Sequence, residues 1–249
     1  MENPMFSIIT ITYNAAEELP VTLESVASQT YADFEHLLID GASTDDTLSV
    51  ARRKGCAGLR IISEPDKGLY DAMNKGLRNA KGRYVIFLNA GDAFASPVTL
   101  AQYAEAAKED DPDIIYGDTV IVDKSRKILR PRHLEVPQRL TFESFSHGML
   151  ICHQAFCVKK ELAPEYDLNY KFSADYDWTV KCIRRTTPEK CRNLHCVVIH
   201  YLDAGMTEKN KRASLLERFD IMKKHYGAST ALKRHLEFIP RAIARKIGR

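Results

Sequence analysis

Four times in its first ninety-odd residues this chain repeats one unit. An apolar, β-rich run ends in a polar, turn-forming cluster, and a segment with helical spacing follows. The strand-like runs are residues 6–12, 36–39, 59–62 and 83–88. The helix-like segments are residues 17–28, with Leu19, Leu23 and Val26 on one face, then 45–54, with Ser43 or Thr44 as N-cap, then 69–79 and a helix opened by Pro97 that runs to about residue 108. Such alternation demands crossover connections and a mostly parallel sheet covered on both faces. The expected class is therefore α/β, a Rossmann-like mostly parallel sheet flanked by helices. Further strands are expected at residues 114–116, 152–158 and 195–201. A hairpin is expected from 119–123 and 127–130 around Lys124-Ser125-Arg126, and helices over 175–185, 208–225 and 231–246. Pro240 should kink or split the last helix.

In an open parallel sheet ligands bind beyond the carboxyl ends of the strands. The polar clusters fall there: Thr12-Tyr13-Asn14, Asp40-Gly41-Ala42-Ser43, Ser63-Glu64-Pro65-Asp66-Lys67-Gly68 and Asn89-Ala90-Gly91-Asp92. Turn chemistry explains any one of them. Four on one edge point to a ligand. No GxGxxG follows the first strand and no GxxxxGK[ST] occurs, so a dinucleotide-binding domain and a P-loop NTPase both lack their signature. An Asp at the end of strand two can hydrogen-bond a base or ribose. A carboxylate in the tight Asn89–Asp92 turn can hold a hard divalent cation against phosphates.

At these residues the sequence resembles the family-2 glycosyltransferases, the inverting enzymes of the GT-A fold, and most closely the bacterial branch that builds capsule, exopolysaccharide and O-chains. The matching stretches are SIITITYN at 7–14, IDGASTDDT at 39–47, SEPDKGLYDAMNKGL at 63–77 and GRYVIFLNAGD at 82–92. Thinner matches are CHQAFCVKK at 152–160, SADYDW at 173–178 and DAGMT at 203–207. The resemblance implies that Thr12, Tyr13 and Asn14 line a nucleotide pocket, that Asp40 binds base or ribose, and that Ser43 fixes its loop. Asp66 and Lys67 would contact the nucleoside from the other side, and Asp71 and Asn74 would face the donor from one helix. Asn89, Ala90, Gly91 and Asp92 would stand in for an Asp-x-Asp motif, with Asp92 the ligand of Mg²⁺ or Mn²⁺ and His200 a candidate third ligand. Asp175, with Asp177 as alternative, would be the base that takes the acceptor hydroxyl's proton. His153, Gln154 and Trp178 would shape the acceptor or sugar pocket. The implied partners are a nucleoside-diphosphate sugar, with uridine diphosphate the expected nucleotide, and a glycan or polyprenyl-diphosphate-linked acceptor. The implied division is a catalytic domain over 1–205, whose residues 1–95 bind the donor and 96–205 face the acceptor, and a tail over 206–249.

Composition enters through its asymmetry. The net charge of +3 divides into 12 Lys and Arg against 4 Asp and Glu over residues 205–249, and 24 against 29 over the rest. The tail carries Leu232, Leu236, Ile239, Ile243 and Ile247 at helical spacing with basic residues between them. A basic amphipathic segment over 229–249 can lie on an anionic bilayer or pack on the domain. Six cysteines, no basic residue ahead of the first apolar run and no apolar run of membrane-spanning length read as a cytoplasmic chain with reduced thiols, peripheral on the inner face of the membrane where the tail binds. Three competing readings have weaker support. A sugar-nucleotidyltransferase usually has a Gly-rich basic first loop, which ITYNAAEE lacks. A two-carboxylate hydrolase leaves the nucleotide-type loops unexplained. A nucleic-acid-binding protein has only the basic tail behind it, and no nucleic acid partner is expected.

Overall fold

The computed structural model of the chain describes residues 3–203 and 211–247, with side chains over 3–203 and 212–237. Nine strands form one sheet: β1 (Phe6–Thr12), β2 (Phe34–Asp40), β3 (Arg60–Ser63), β4 (Tyr84–Phe87), β5 (Ala93–Phe94), β6 (Ile114–Val122), β7 (Ile128–Pro131), β8 (Phe156–Lys159) and β9 (Cys191–Leu202). Their order is β3-β2-β1-β4-β8-β6-β9-β5, with β7 paired to β6. The helices are α1 (Leu19–Ala27), α2 (Thr47–Lys54), α3 (Leu69–Asn79), α4 (Thr99–Asp110), α5 (Ala174–Ile183), α6 (Lys211–Tyr226) and α7 (Ala228–Ile247).

The architecture follows from the apolar patterns. Every residue of β1 is buried, because β2 and β4 flank it in parallel and helices cover both faces. Along β2, Leu38 packs with Leu19, Leu23 and Val50 of α1 and α2, while Leu37 and Ile39 join the opposite core, to which Met73 and Leu77 of α3 belong. This is the two-residue alternation of a strand between two helical layers.

Strands β3, β2, β1 and β4 are mutually parallel. β8 runs antiparallel to both β4 and β6, and β9 is parallel to β6. β6 and β9 therefore point the same way as β1. The carboxyl ends of β1, β2, β3, β4, β6 and β9 all open on one edge, and so does the amino end of β8.

Some boundaries differ from the sequence reading. Residues 153–155 form a 3-10 turn ahead of β8 rather than the start of a strand. β5, only two residues long, had no pattern to announce it; its pairing with Ile199 and His200 of β9 holds it in the sheet. Helix α2 starts after Asp46, not after Ser43 or Thr44, because those two side chains are engaged by Asp40 and Asn14. The expected hairpin forms, and β6 is one long strand with a register shift near Asp118.

The basic tail is not separate from the domain. Ile221 and Met222 of α6 and Ala231 of α7 belong to the main core, and Tyr226 stacks on Phe142 with ring centroids 4.5 Å apart. Glu217 accepts the backbone N–H groups of Lys171 and Phe172 just ahead of α5. One continuous helix spans Pro240 instead of two separate pieces. The side chains of Ile239, Ile243 and Ile247, and most of the DAGMT segment, lie outside the described residues. No helix among the described residues is long and apolar enough to cross a membrane.

Candidate active site

Loops at the carboxyl edge hold one another in place. Asn14 adopts φ 46°, accepts the Thr44 N–H on its Oδ1 at 2.9 Å and gives its own N–H to Ser43 Oγ at 2.8 Å. Asp40 is fully buried and accepts hydrogen bonds from Ser43 N (3.0 Å), Ser43 Oγ and Ser63 Oγ (2.7 Å). Ser43 therefore links Asn14 to Asp40 across this loop. Asp40 is enclosed by the two serines, and its side-chain hydrogen bonds go to its own loop and to the end of β3. Tyr13 stands 63% exposed above this floor. Gly41 permits the approach of the two walls: a Cβ there would overlap Asp66 Oδ2 and meet Tyr13 Cδ2 at 3.3 Å. Asp66 accepts the Gly68 N–H and Asp71 accepts the Lys67 N–H, while the Lys67 side chain is exposed. Gly41 thus lets Tyr13 and Asp66 close in on one another, next to the loop that carries Lys67 and the first turn of α3 that carries Asp71. Asn74 departs from the expectation. It is buried, and its amide makes a reciprocal pair with the Tyr166 backbone at 2.7 and 3.0 Å, so it anchors the 166 segment and does not face the donor.

The Asn89–Asp92 turn is held from behind. Thr22 of α1 donates to the carbonyls of Asn89 and Asp92 and accepts the Gly91 N–H. Ala90 gives its N–H to the Ile11 carbonyl, and Gly91 supplies a φ of 96° that a side chain rarely adopts. Asn89 Oδ1 and Thr12 Oγ1, at adjacent strand ends, are buried without a partner among the described residues. Asp92 points inward. Its Oδ1 accepts the Leu202 N–H at 3.0 Å and its Oδ2 the Gln154 amide at 2.9 Å, and burial pushes its pKa up to about 7.

This geometry corrects the metal expectation. A hard divalent cation needs several convergent, accessible oxygens. Asp92 spends both oxygens on internal donors. His200 lies beside the Arg126 guanidinium, and burial and that charge both lower its pKa. No group of three or more His, Cys, Asp or Glu side chains among the described residues could hold a cation. The residues named for Mg²⁺ or Mn²⁺ do not fit the ion.

Asp175, named from the resemblance as the base, is joined to helix α3. Asp175 lies in the first turn of α5 and is partly exposed. Its side chain does not cap the helix; the N-cap is Ser173, whose hydroxyl bonds Ser214. Tyr70 of α3, buried, donates its hydroxyl to Asp175 Oδ1 at 3.2 Å. The other oxygen has no hydrogen bond among the described residues. Tyr70 belongs to the helix that follows the Asp66-Lys67 loop, so this bond joins the two halves of the site. Asp177, two residues on, faces the interior at 0% exposure, bonded to His225 Nε2 at 2.7 Å and paired with Lys181 at 2.5 Å. It is a structural anion, not an alternative base.

Trp178 is also corrected. It is buried, stacked on Tyr166 at 5.0 Å between ring centroids, with Nε1 donating to the Pro164 carbonyl, and it has no face free for a sugar. His153 bonds the Tyr166 hydroxyl at 2.6 Å inside the same aromatic cluster. Gln154 joins Asp92 to the Cys152 thiol. These three form the wall behind the site. Tyr70, Tyr166 and Thr22 were not singled out from the sequence. Tyr70 had a signal in the GLYDAMN stretch; the other two matter only through contacts distant in sequence.

Burial pushes His36 and His153 down to about 4. Both are neutral in the fold and protonate near 6.5 once unfolded, so their contribution is complete above about 6.5 and lost as the pH falls toward 4. Asp92, raised, works the opposite way between about 4 and 7 and offsets part of this. Urea-unfolding free energies should fall from pH 6.5 to 4.5, and His36→Gln should flatten that slope. An unchanged slope in the variant would remove His36 as its source.

An α/β sheet whose polar loops gather on its carboxyl edge, with Asp175 tied to one of the flanking helices, is the architecture of a GT-A-like transferase. Residues 7–166 match glycosyl transferase family 2, and the chain belongs to that family. It is a glycosyltransferase. It is similar to the PGL/p-HBAD biosynthesis glycosyltransferase of Mycobacterium bovis, 36% identical over 212 residues that make up 82% of this chain and 79% of that protein. An uncharacterized glycosyltransferase of Mycobacterium tuberculosis is 33% identical over 211 residues, 82% of this chain and 77% of that one. Among solved structures, S. aureus TarS 1–349, also solved with UDP-GlcNAc, superposes with a TM-score of 0.71 over 96% of this chain and 73% of that chain at 19% identity. The mannosyltransferase PcManGT from Pyrobaculum calidifontis, solved with GDP-Man and Mn²⁺, superposes with a TM-score of 0.60 over 100% of this chain and 80% of that chain at 16% identity. These last two carry the GT-A-like fold.

Proposed function

We propose that this chain transfers a sugar from a UDP-sugar, with inversion, to a glycan or lipid-linked acceptor in cell-surface polysaccharide or glycolipid synthesis. The observation that carries this reading is Asp175: partly exposed, not engaged as a helix cap and tied through Tyr70 to helix α3, which follows the Asp66-Lys67 loop. In the reaction the acceptor oxygen attacks the anomeric carbon as the bond to the diphosphate breaks. The acceptor's proton goes to Asp175, and the nucleoside diphosphate leaves. Tyr13 and Asp66 would hold the nucleoside, and the Asn89–Asp92 turn would border the ribose and diphosphate. The pocket contributes chiefly orientation. Thermal-shift measurements with UDP, GDP, dTDP and their sugars test the reading, since a ligand that binds the folded state raises Tm by mass action. A UDP-sugar should give the largest rise, and no shift with any of them would overturn it.

Gly41→Ala is expected to displace Asp66 or Tyr13 and weaken nucleotide binding about tenfold, in line with the 1–3 kcal/mol cost of overpacking. Isothermal titration would show it, and unchanged affinity would remove the Tyr13–Asp66 wall from the pocket.

A peripheral membrane position is supported by α7. Leu232 and Leu236 are 57% and 58% exposed, one turn apart, and Lys233 beside them is exposed too. Because Ala231 is core, deleting residues 229–249 would damage the fold. Leu232→Ser/Leu236→Ser is the cleaner variant. It should lower co-sedimentation with anionic vesicles several-fold, and equal binding by variant and parent would sink the membrane role.

A further inference from the structure

We propose that the guanidinium of Arg126 is the cationic group this site sets against the donor's diphosphate, in the role a divalent cation would otherwise fill. The inference rests on the glycosyltransferase reading above.

Arg126 lies at the tip of the β6–β7 hairpin, on the edge where β1, β4 and β9 also end. The tip is rigidly built: Asp123 accepts the Ser125 hydroxyl and the Lys127 N–H on Oδ1, and the Arg126 N–H on its carbonyl. Lys124 ties the tip to Glu17, at 2.8 Å, in the β1–α1 loop. Arg126 Nη1 donates to the Gly91 carbonyl at 2.8 Å, and Nη2 approaches the His200 carbonyl at 3.5 Å. The guanidinium is thereby fixed against the Asn89–Asp92 turn.

Two features mark this arginine as more than a tether. It is partly buried, yet among the described residues no carboxylate lies within ion-pair distance of it. Asp92, whose charge it feels, has both oxygens turned to Leu202 and Gln154. A partly desolvated cation without a counter-ion is costly and gains most from an anion. Its two hydrogen bonds leave three of five N–H donors, arranged in the fork that suits phosphate oxygens. Second, Arg126 holds φ 67°, which costs an L side chain of order 1 kcal/mol and a glycine nothing. The backbone favours glycine here, and an arginine stands in its place.

That conformation also supplies the test. Arg126→Gly relieves the turn while removing the charge, and Arg126→Gln keeps most of the side chain without the charge. Isothermal titration of the full chain would compare the best-bound of UDP, GDP and dTDP with its nucleoside, in EDTA and in Mn²⁺. Both variants should lose at least tenfold in diphosphate affinity and keep nucleoside affinity within twofold, which also reports an intact fold. Wild-type diphosphate affinity should differ by less than twofold between EDTA and Mn²⁺. Undiminished diphosphate binding by both variants, or a tenfold gain from Mn²⁺ in the wild type, would overturn the assignment of Arg126 while leaving the glycosyltransferase reading in place. Binding of no nucleoside diphosphate at all by the wild type would overturn both.

Discussion

An Asp175→Asn enzyme is expected to turn over about 10²–10⁴-fold more slowly, the usual contribution of a positioned general base. Its donor affinity should stay within about twofold of the parent's. The reasoning is local. The amide keeps the shape of the carboxylate and an oxygen for the Tyr70 hydroxyl, so the link between α3 and α5 survives. It lacks a basic oxygen to accept the acceptor's proton. The contacts of Tyr13, Gly41 and Asp66, proposed to hold the nucleoside, are not altered. Steady-state kinetics with titration of the donor separate the two quantities. Near-normal kcat would remove Asp175 as the base, and loss of donor affinity alone would make it a binding residue instead.

Asp177→Asn is expected to do the reverse: lower stability by about 3 kcal/mol, the low end for breaking a buried charge pair, or roughly 6–12 °C in Tm. The carboxylate ties helix α5 to α6 through His225, with Lys181 one turn away on its own helix and Lys224 at 3.5 Å. Burial acts to raise its pKa, but the His225 hydrogen bond and the Lys181 pair outweigh it and bring the group down to about 2. A depressed carboxylate stabilises fully above its unfolded pKa near 3.9 and loses that contribution as the pH falls through 2. The deficit of the variant should therefore be constant from pH 5 to 8, where differential scanning calorimetry reads it. A variant as stable as the parent would show that the cluster contributes nothing. Together the two substitutions distinguish the acid named as the base from its alternative two residues on.

The difference between those acids shows what a pattern can carry. Asp175 and Asp177 both lie in the first turn of a helix with helix-compatible neighbours, and nothing local separates them. Two residues along a helix turn a side chain by about 200°, so one meets Tyr70 at the pocket and the other meets His225 in the interior. Which side is the pocket depends on α3 and α6, far away in sequence. Asn74 failed as a donor-facing residue for the same reason. Three positions from Asp71, it points at Tyr166, a partner 92 residues distant. Trp178 failed because Tyr166 and Pro164 occupy it. Asp92 failed as a metal ligand because Leu202 and Gln154, from β9 and the turn before β8, reach it first.

The sequence alone determined the alternation of strands and helices and the edge on which the polar loops gather. Those properties rest on periodicity, turn chemistry and short-range spacing, which neighbouring residues encode. The tertiary structure decided which polar side chains on that edge are free. Among the described residues, Asp40 and Asp92 spend their oxygens inside the fold, Asp175 keeps one oxygen without a hydrogen bond, and Arg126 has no carboxylate at ion-pair distance. Hydrogen-bond partners for a buried group come from whichever strand ends and helices converge on it, and that convergence exists only once the sheet has formed.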